Sequence, residues 1–321
     1  MENSIIELLA APWKANVVFT AVRLRVFTLL SNKLMTAEEL SLTCGARPHI
    51  LKPLLDACVS MGLIQSKKNM YINSEFSLDF LTEGGPHYVG DLINLQFDEI
   101  DQWEKLYNVA LNVKKSEKKE SSDKDRHRTF IKAMHNLGML GEAQALRDSV
   151  DLAGCKQMID AGGGSGIYSI VLCQKFPELR SKILDKKITL DVTREILSGY
   201  NEKNRITLLE ADITKQSFGN NIDVVLLSDV IYDESESDMV LRNAKNCLRD
   251  NGTLILRGYY SDPENTKTLF GALFVLNQLI FDPGRKIMTF SSLQSKVKEI
   301  GFKILKVSPL TERSFILVAE K

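Results

Sequence analysis

The sequence predicts an α/β fold: a doubly wound, mostly parallel sheet behind a mainly α-helical N-terminal region. Two observations carry this. From residue 129 onward short apolar runs at strand length alternate with helical segments. Before that point the apolar residues recur at helical spacing instead. The chain has 321 residues, which favours two domains. Its 44% hydrophobic residues suffice for a sizeable core.

The N-terminal elements come first. Residues 15–30 place Val, Phe and Leu at helical intervals. Thr36, with Glu39 three residues later, is a capping-box signature for a short helix ended by Cys44-Gly45. HILKPLLDACVSM forms the next helix, to Met61, with Gly62 as its C-cap. LIQSKKNMYINS reads as two short strands about a turn at Lys67–Asn69. Helices followed by a β-wing resemble a winged helix, which serves either DNA recognition or packing. HILKPLLDACVSM carries one Lys and one Asp and little else that reaches a base or phosphate, which favours packing. Residues 84–112 are helical again and hold Phe97 and Trp103.

KKSEKKESSDKDRHR, residues 114–128, mixes both charges without an apolar side chain and reads as a solvated linker. The expected division is 1–113, linker 114–128, and 129–321. The second part reads as strand 157–161, helix 167–176, strand 181–185, helix 191–200, strands 205–212 and 222–229, helix 235–249 and strand 253–258. The tail adds two strands about a turn at Thr311–Arg313, an antiparallel hairpin at the sheet edge. That makes seven strands.

Composition excludes several function classes. Lys+Arg and Asp+Glu both number 41, so there is no basic footprint for nucleic acid or an anionic membrane. Five scattered cysteines without a Cys-x-x-Cys pair argue against a disulfide framework and a zinc site. No metal is expected. The N-terminus lacks a signal-peptide pattern and no apolar run approaches the length of a membrane span. The expected setting is cytoplasmic.

The chemistry concentrates at Asp160-Ala161-Gly162-Gly163-Gly164-Ser165-Gly166, between a strand and a helix. Glycines there permit positive φ and close approach of a ligand to the backbone. A nicotinamide dinucleotide fingerprint needs G-x-G-x-x-G, and Ile167 stands where its third glycine belongs. The pattern looks like motif I of class I methyltransferases, whose loop wraps the methionine portion of S-adenosylmethionine. Asp185 ends the second strand, where a carboxylate can accept from both ribose hydroxyls. Asp212, within Glu210-Ala211-Asp212-Ile213, ends the third and can accept from an adenine amine. Ser228 and Asp229 close the fourth strand, and ligands bind at such carboxyl ends.

These features together make the chain similar to the two-domain O-methyltransferases with an N-terminal dimerisation winged helix. That group includes acetylserotonin, plant phenylpropanoid and bacterial antibiotic O-methyltransferases, and bacteriochlorophyllide C-20 methyltransferase is close in character. The carriers are PWKANVVFTAVRLRVFTLL, TAEELSLTCGARPHILKPLLDACVSMGLI, FIKAMHNLG, MIDAGGGSG, FPELRSKILD, RITLLEADI, VVLLSDVIYDE and NGTLILRGYYSDPEN. The resemblance implies a Rossmann-like domain, S-adenosylmethionine bound by Asp160, Gly162, Gly163, Gly164, Gly166, Asp185, Ala211, Asp212, Ile213 and Ser228, S-adenosylhomocysteine as product, and a homodimer. The substrate is then a small molecule.

One position departs from the family. Many members carry Leu-His-Asp after the fourth strand, with the histidine as general base. Here the residues are Ile231-Tyr232-Asp233. Tyrosine ionises near 10 and histidine near 6.5, so Tyr232 is a poor proton acceptor. Tyr232, Asp229, Asp233 and His135 are therefore the catalytic candidates. The apolar helix from Phe270 to Ile280, with Leu273 and Asn277, walls the substrate site in this family. With Phe97, Trp103, Met134 and His135 it implies an aromatic or apolar substrate. Oxygen is the first choice of methyl acceptor, then carbon or sulfur. A non-methylating use of the cofactor and a winged-helix regulator are the alternatives.

Overall fold

The structure, a computed structural model, describes residues 2–31, 33–111, 123–260 and 269–321. It divides into two compact units, Met1–Ile100 and Asp101–Lys321. The division falls earlier in the chain than the expected boundary. Within the charged stretch, residues 123–128 open a helix, and 114–122 lie outside the described residues, as do 261–265 of NGTLILRGYYSDPEN.

The first unit runs α1 (Glu2–Arg23), α2 (Val26–Leu29), β1 (Met35–Thr36), α3 (Ala37–Cys44), α4 (Pro48–Ser60), β2 (Ile64–Lys67), β3 (Met70–Asn73) and α5 (Glu75–Phe80). The capping box forms: the Glu39 amide donates to Thr36 Oγ1 at 3.2 Å, and the Thr36 amide donates to Glu39 Oε2 at 2.7 Å. Lys68 and Asn69 both take positive φ, which suits a tight hairpin turn. β3 lies between β1 and β2 in an antiparallel sheet. Phe27, Leu30, Leu40, Leu51 and Leu55 fill the core beneath it.

Helix α1 bears on the expectation that no apolar run approaches the length of a membrane span. Its stretch Ile5–Arg23 is, by length and composition alone, apolar enough to cross a membrane, with mean hydropathy 1.4. Pro12, Lys14 and Asn16 interrupt the apolar run, so a search for unbroken apolar sequence passes over it. Ile5, Ile6, Leu8, Leu9 and Trp13 are exposed on it.

α6 (Gly90–Trp103) crosses the division and α7 (Leu106–Ala110) follows. The second unit continues with α8 (Asp123–Leu137), a wide π-type turn at Gly138–Glu142, and α9 (Ala143–Ser149). Gly141 takes φ 97° in that turn. Then come β4 (Gln157–Ala161), α10 (Ile167–Lys175), β5 (Arg180–Asp185), α11 (Lys187–Leu197), β6 (Ile206–Glu210), β7 (Ile222–Ser228), α12 (Glu234–Cys247), β8 (Leu248–Gly258), α13 (Leu269–Phe281), α14 (Phe290–Glu299), β9 (Lys303–Pro309) and β10 (Phe315–Glu320). Among the described residues seven strands form one sheet in the order β6-β5-β4-β7-β8-β10-β9. The first five are parallel, and β10 runs antiparallel between β8 and β9. The doubly wound fold and its antiparallel edge hairpin are therefore as expected.

Several element boundaries differ, among them the end of β6 at Glu210, which leaves Asp212 past the strand it was expected to close. α11 starts at Lys187, so Asp191 lies inside it, paired with Arg194 at 3.0 Å, and not at its start. Lys186 supplies no side-chain cap, so the sequence carries no start signal there. β8 begins at Leu248, before the expected 253, and passes through Asn251 at φ 58° next to a register shift against β7.

Candidate functional site

The carboxyl ends of β4, β5, β6 and β7 meet at the glycine loop. β4 is buried from Met158 on and delivers Asp160 and Ala161 to this edge. The chain then reverses through Gly162, Gly164 and Gly166, at φ 72°, 54° and 79°. The Gly162 amide donates to the Leu184 carbonyl at 2.7 Å, tying the loop to β5. A Cβ on Gly162 would sit 2.4 Å from Val230 Cγ1 and 3.3 Å from Ile213 Cδ1, so only glycine fits against the segment after β7. A Cβ on Gly164 would meet nothing within 4 Å, so that side of the loop is open. Thr193 of α11 donates to the Gly164 carbonyl at 2.6 Å.

Two carboxylates flank the loop. Asp185 accepts from the Gly164 amide at 3.0 Å and from the Lys186 amide at 2.7 Å. Its remaining lone pairs stay available to hydroxyl donors. Asp160 is fully buried beneath Gly163, whose Cβ would stand 2.7 Å from its Cγ. Ser169 donates to Asp160 Oδ2 at 2.7 Å and is itself 2.7 Å from Ser181, while Oδ1 has no hydrogen-bond partner. Burial pushes the Asp160 carboxyl up to about 6. Just past β6, Asp212 accepts from the Thr214 amide and hydroxyl and pairs with Lys215 at 3.0 Å. The Thr214 and Lys215 hydrogen bonds hold it down at about 2. The Ala211 amide donates to the Asp185 carbonyl. Asp160, the glycines, Asp185, Ala211 and Ile213 thus come together, while Asp212 turns its carboxylate onto its own turn.

The other half of the site grows from β7. Ser228 is buried at the strand end. Asp229 follows at φ 57°, its amide donating to the Arg257 carbonyl at 2.9 Å. Arg257 of β8 is fully buried. Its guanidinium donates to Asp229 Oδ2 with one arm and to Glu142 Oε2, at 2.5 Å, with another. It lies over the Tyr259 ring at 4.1 Å. Burial opposes its charge, but Tyr168, Tyr259 and Glu142 outweigh burial and raise its pKa. Glu142 is buried too. Burial pushes it up, but Arg257 and hydrogen bonds from Ser314 and Thr311 win, and it is lowered overall. The Ser314 and Thr311 hydroxyls reach it at 2.6 and 2.7 Å, and Arg313 Nε stands 3.4 Å away.

Tyr232 donates its hydroxyl to Asp229 Oδ1 and receives the Tyr259 amide at 3.4 Å. Burial, then the neighbouring Tyr260, lifts this phenol well above its ordinary value. Its ring meets Tyr260 at 5.6 Å and Phe274 at 5.3 Å, and Phe270 and Tyr259 extend the aromatic wall. Asp233 lies beside Ile287 across an isolated bridge.

The remaining candidates are dispersed. His135 meets Tyr200, Nε2 to hydroxyl 3.0 Å, and burial pulls its pKa down to about 4. No contact joins it to Asp229 or Tyr232 among the interactions described. Met134, its neighbour on α8, is half-buried. On α13 Leu273 is exposed and Asn277 half-buried. Trp103 ends α6, half-buried. Phe97 belongs to the first unit, where it meets Phe19 at 6.0 Å and Arg23 at 4.3 Å. Among the described residues no group of three or more His, Cys, Asp or Glu could hold a metal ion.

Sequence reasoning missed Arg257, Glu142, Tyr259 and Thr193. Only Arg257 left a trace: a single charge inside the apolar strand TLILRG.

Residues 90–303 match the O-methyltransferase domain family, and residues 6–83 match the O-methyltransferase dimerisation domain. The chain is 24% identical over 288 residues to the 3-hydroxy-5-methyl-1-naphthoate 3-O-methyltransferase of Streptomyces sahachiroi, covering 87% of this chain and 83% of that protein. It is 32% identical over 139 residues to the bacteriochlorophyllide d C-20 methyltransferase of Chlorobaculum tepidum, covering 42% of this chain and 41% of that one. The crystal structure of human N-acetylserotonin methyltransferase in complex with SAM superposes over 100% of this chain and 97% of its own, with TM-score 0.87 at 18% identity.

Proposed function

We propose, from the premise that this chain belongs to the O-methyltransferase family, that it transfers a methyl group to a hydroxyl of a small aromatic molecule. The observation that supports this best is the contact of Gly162 with Val230: it sets the glycine loop against the segment that carries Asp229 and Tyr232. The residues present fit S-adenosylmethionine. The loop is open at Gly164, and the buried Asp160 keeps one unpartnered oxygen beneath it.

In this reading Asp185 takes the ribose hydroxyls. Ala211, Asp212, Ile213 and Ser228 line the adenosine end, and Asp160 with Gly162, Gly163, Gly164 and Gly166 holds the methionine end. S-adenosylmethionine supplies a methyl carbon activated by its positive sulfur and leaves as S-adenosylhomocysteine. The chain chiefly positions the acceptor, and alignment of this kind is worth about 7–11 kcal/mol. Tyr232, Tyr259, Phe270 and Phe274 offer flat apolar surface to an aromatic acceptor. The naphthoate ring of the Streptomyces relative's substrate is of that class.

Titration calorimetry tests the cofactor site. S-adenosylmethionine and S-adenosylhomocysteine should bind and NAD should not. Gly162→Ala, strained at positive φ and pressed on Val230, should weaken both adenosyl ligands by about 100-fold, a few kcal/mol of strain and clash. No binding of either adenosyl ligand to the wild type would sink the proposal.

We propose that the N-terminal part matched by the dimerisation domain, residues 6–83, is a winged-helix dimerisation part, that the catalytic part follows it, and that the protein is a cytoplasmic homodimer. The expected linker 114–128 is cut short by α8, which takes in 123–128. The exposed Ile5, Ile6, Leu8, Leu9 and Trp13 of α1 support a second copy as their cover, as does a groove of about 380 Å³ between α1 and α4 lined by Trp13, Val17, Leu24, Ile50 and Leu54. Light scattering should give twice the chain mass of 36.1 kDa, and a monomer at micromolar concentration would remove this reading. With zero net charge, nothing favours nucleic acid as a partner.

A further inference from the structure

We propose that Tyr232 and Asp229 form a proton relay for the substrate hydroxyl, and that the buried pair Arg257 and Glu142 are the positioning residues that keep Asp229 ready to receive the proton. The inference rests on the methyl-transfer reading above and gives it a proton path that no histidine supplies.

The geometry sets the direction of the relay. A phenol has one proton to donate and two lone pairs. Tyr232 spends its proton on Asp229 Oδ1 and one lone pair on the Tyr259 amide. One lone pair is left, and it can accept from a substrate hydroxyl. A tyrosine held this way does not act as a free base, because ionising it would leave a phenolate beside the Asp229 carboxylate. It can pass a proton on while staying neutral. In the step, the substrate O–H bond breaks and its proton moves to the Tyr232 oxygen. The proton that Tyr232 already shares moves to Asp229 Oδ1. The electron pair left on the substrate oxygen forms the new bond to the methyl carbon as the carbon–sulfur bond breaks and its pair stays on sulfur. Tyr232 ends as it began. Asp229, whose side chain is 30% exposed, then gives the proton to water.

The surrounding charges tune this acceptor. Arg257 donates to Asp229 Oδ2, so the carboxylate is fixed and ionised before the step. Arg257 alone would also make it too weak a base. Glu142 takes up the other arm of the guanidinium and shares its charge. Arg313 stands behind Glu142, and the hydroxyls of Tyr168, Tyr259 and Tyr260 also act on Arg257 or Tyr232. Within the pair of acids that Arg257 holds, Asp229 reaches solvent and Glu142 does not, which gives the proton an exit at Asp229.

The test uses the full chain saturated with S-adenosylhomocysteine and 4-nitrophenol as probe, whose ionisation is read by its visible absorbance. The neutral acceptor on Tyr232 and the negative charge on Asp229 should hold the bound probe protonated, raising its apparent pKa by about one unit over solution. Asp229→Asn should abolish that rise, and Tyr232→Phe, which removes the acceptor but keeps the Asp229 charge, should reduce it. Tyr232→Phe leaves the ion pair intact and guards against misfolding of the charge variant. Glu142→Gln, which leaves the Arg257 charge unbalanced, should lower the probe's pKa relative to wild type. With phenols of graded acidity, Tyr232→Phe should lose about 10²–10⁴-fold in turnover on the least acidic and little on the most acidic. Equal probe titration in wild type and Tyr232→Phe, or failure of the probe to bind, overturns the relay. Failure of the wild type to bind S-adenosylhomocysteine overturns instead the methyl-transfer reading beneath it.

Discussion

Replacing Arg257 with methionine should lower the unfolding free energy by about 3–5 kcal/mol, because the buried Glu142 is left without its strongest partner. Both side chains are fully buried, so water cannot take the place of the lost guanidinium. In a unit of this size the melting temperature should fall by about 10 °C. Ser314 and Thr311 still donate to Glu142, and they set the lower end of that range. The double variant Arg257→Met with Glu142→Gln removes both charges and should recover most of the loss. Differential scanning calorimetry decides it. A single variant that melts within about 2 °C of wild type would show that the network contributes no net stability.

Asp160→Asn should do the opposite, stabilising the fold while harming the site. The folded protein raises this carboxyl from 3.8 to about 6. A raised folded value means the protonated form is the one the fold prefers. Its contribution is therefore complete below pH 3.8 and is lost as pH rises through about 6. Above that, the ionised group costs the fold about 3 kcal/mol. Asparagine removes that cost, so the variant should melt higher than wild type near neutral pH and level with it at acid pH. The negative charge under the loop would be gone, and affinity for the cationic S-adenosylmethionine should fall about tenfold or more. S-adenosylhomocysteine, whose sulfur is uncharged, should be affected less. Melting curves across pH together with calorimetric titration test both halves. A variant less stable than wild type at neutral pH would overturn the account of Asp160.

The sequence discloses whatever is local. The strand Gln157–Ala161, the glycine turn after it and the Thr36–Glu39 cap each depend on residues within a few positions of one another, and each stands where its pattern puts it. Asp185 was legible because the length of a β-α-β unit fixes where the next strand ends. Arg257 and Glu142 were not, because they are 115 residues apart and a lone charge in an apolar strand looks the same whether it is exposed or paired. His135 shows the same limit in reverse. Its place on α8 suggested the substrate pocket, but its partner is Tyr200, 65 residues on, a pairing set by how α8 packs on α11. The start of α11 was misjudged for a simpler reason, the lack of any capping side chain at Lys186.

The strand order has a consequence for how the chain is made. β10 sits between β8 and β9, so the edge of β8 stays bare until residues 315–320 have been synthesised. The same stretch of chain brings Thr311 and Ser314 to Glu142, 172 residues upstream of Ser314 by the time they meet. While the earlier strands emerge from the ribosome, Arg257 has no finished pocket and β8 no antiparallel neighbour. The second unit therefore waits, partly assembled and with a sticky edge, for its last hairpin, and the first unit, complete by residue 100, can fold long before.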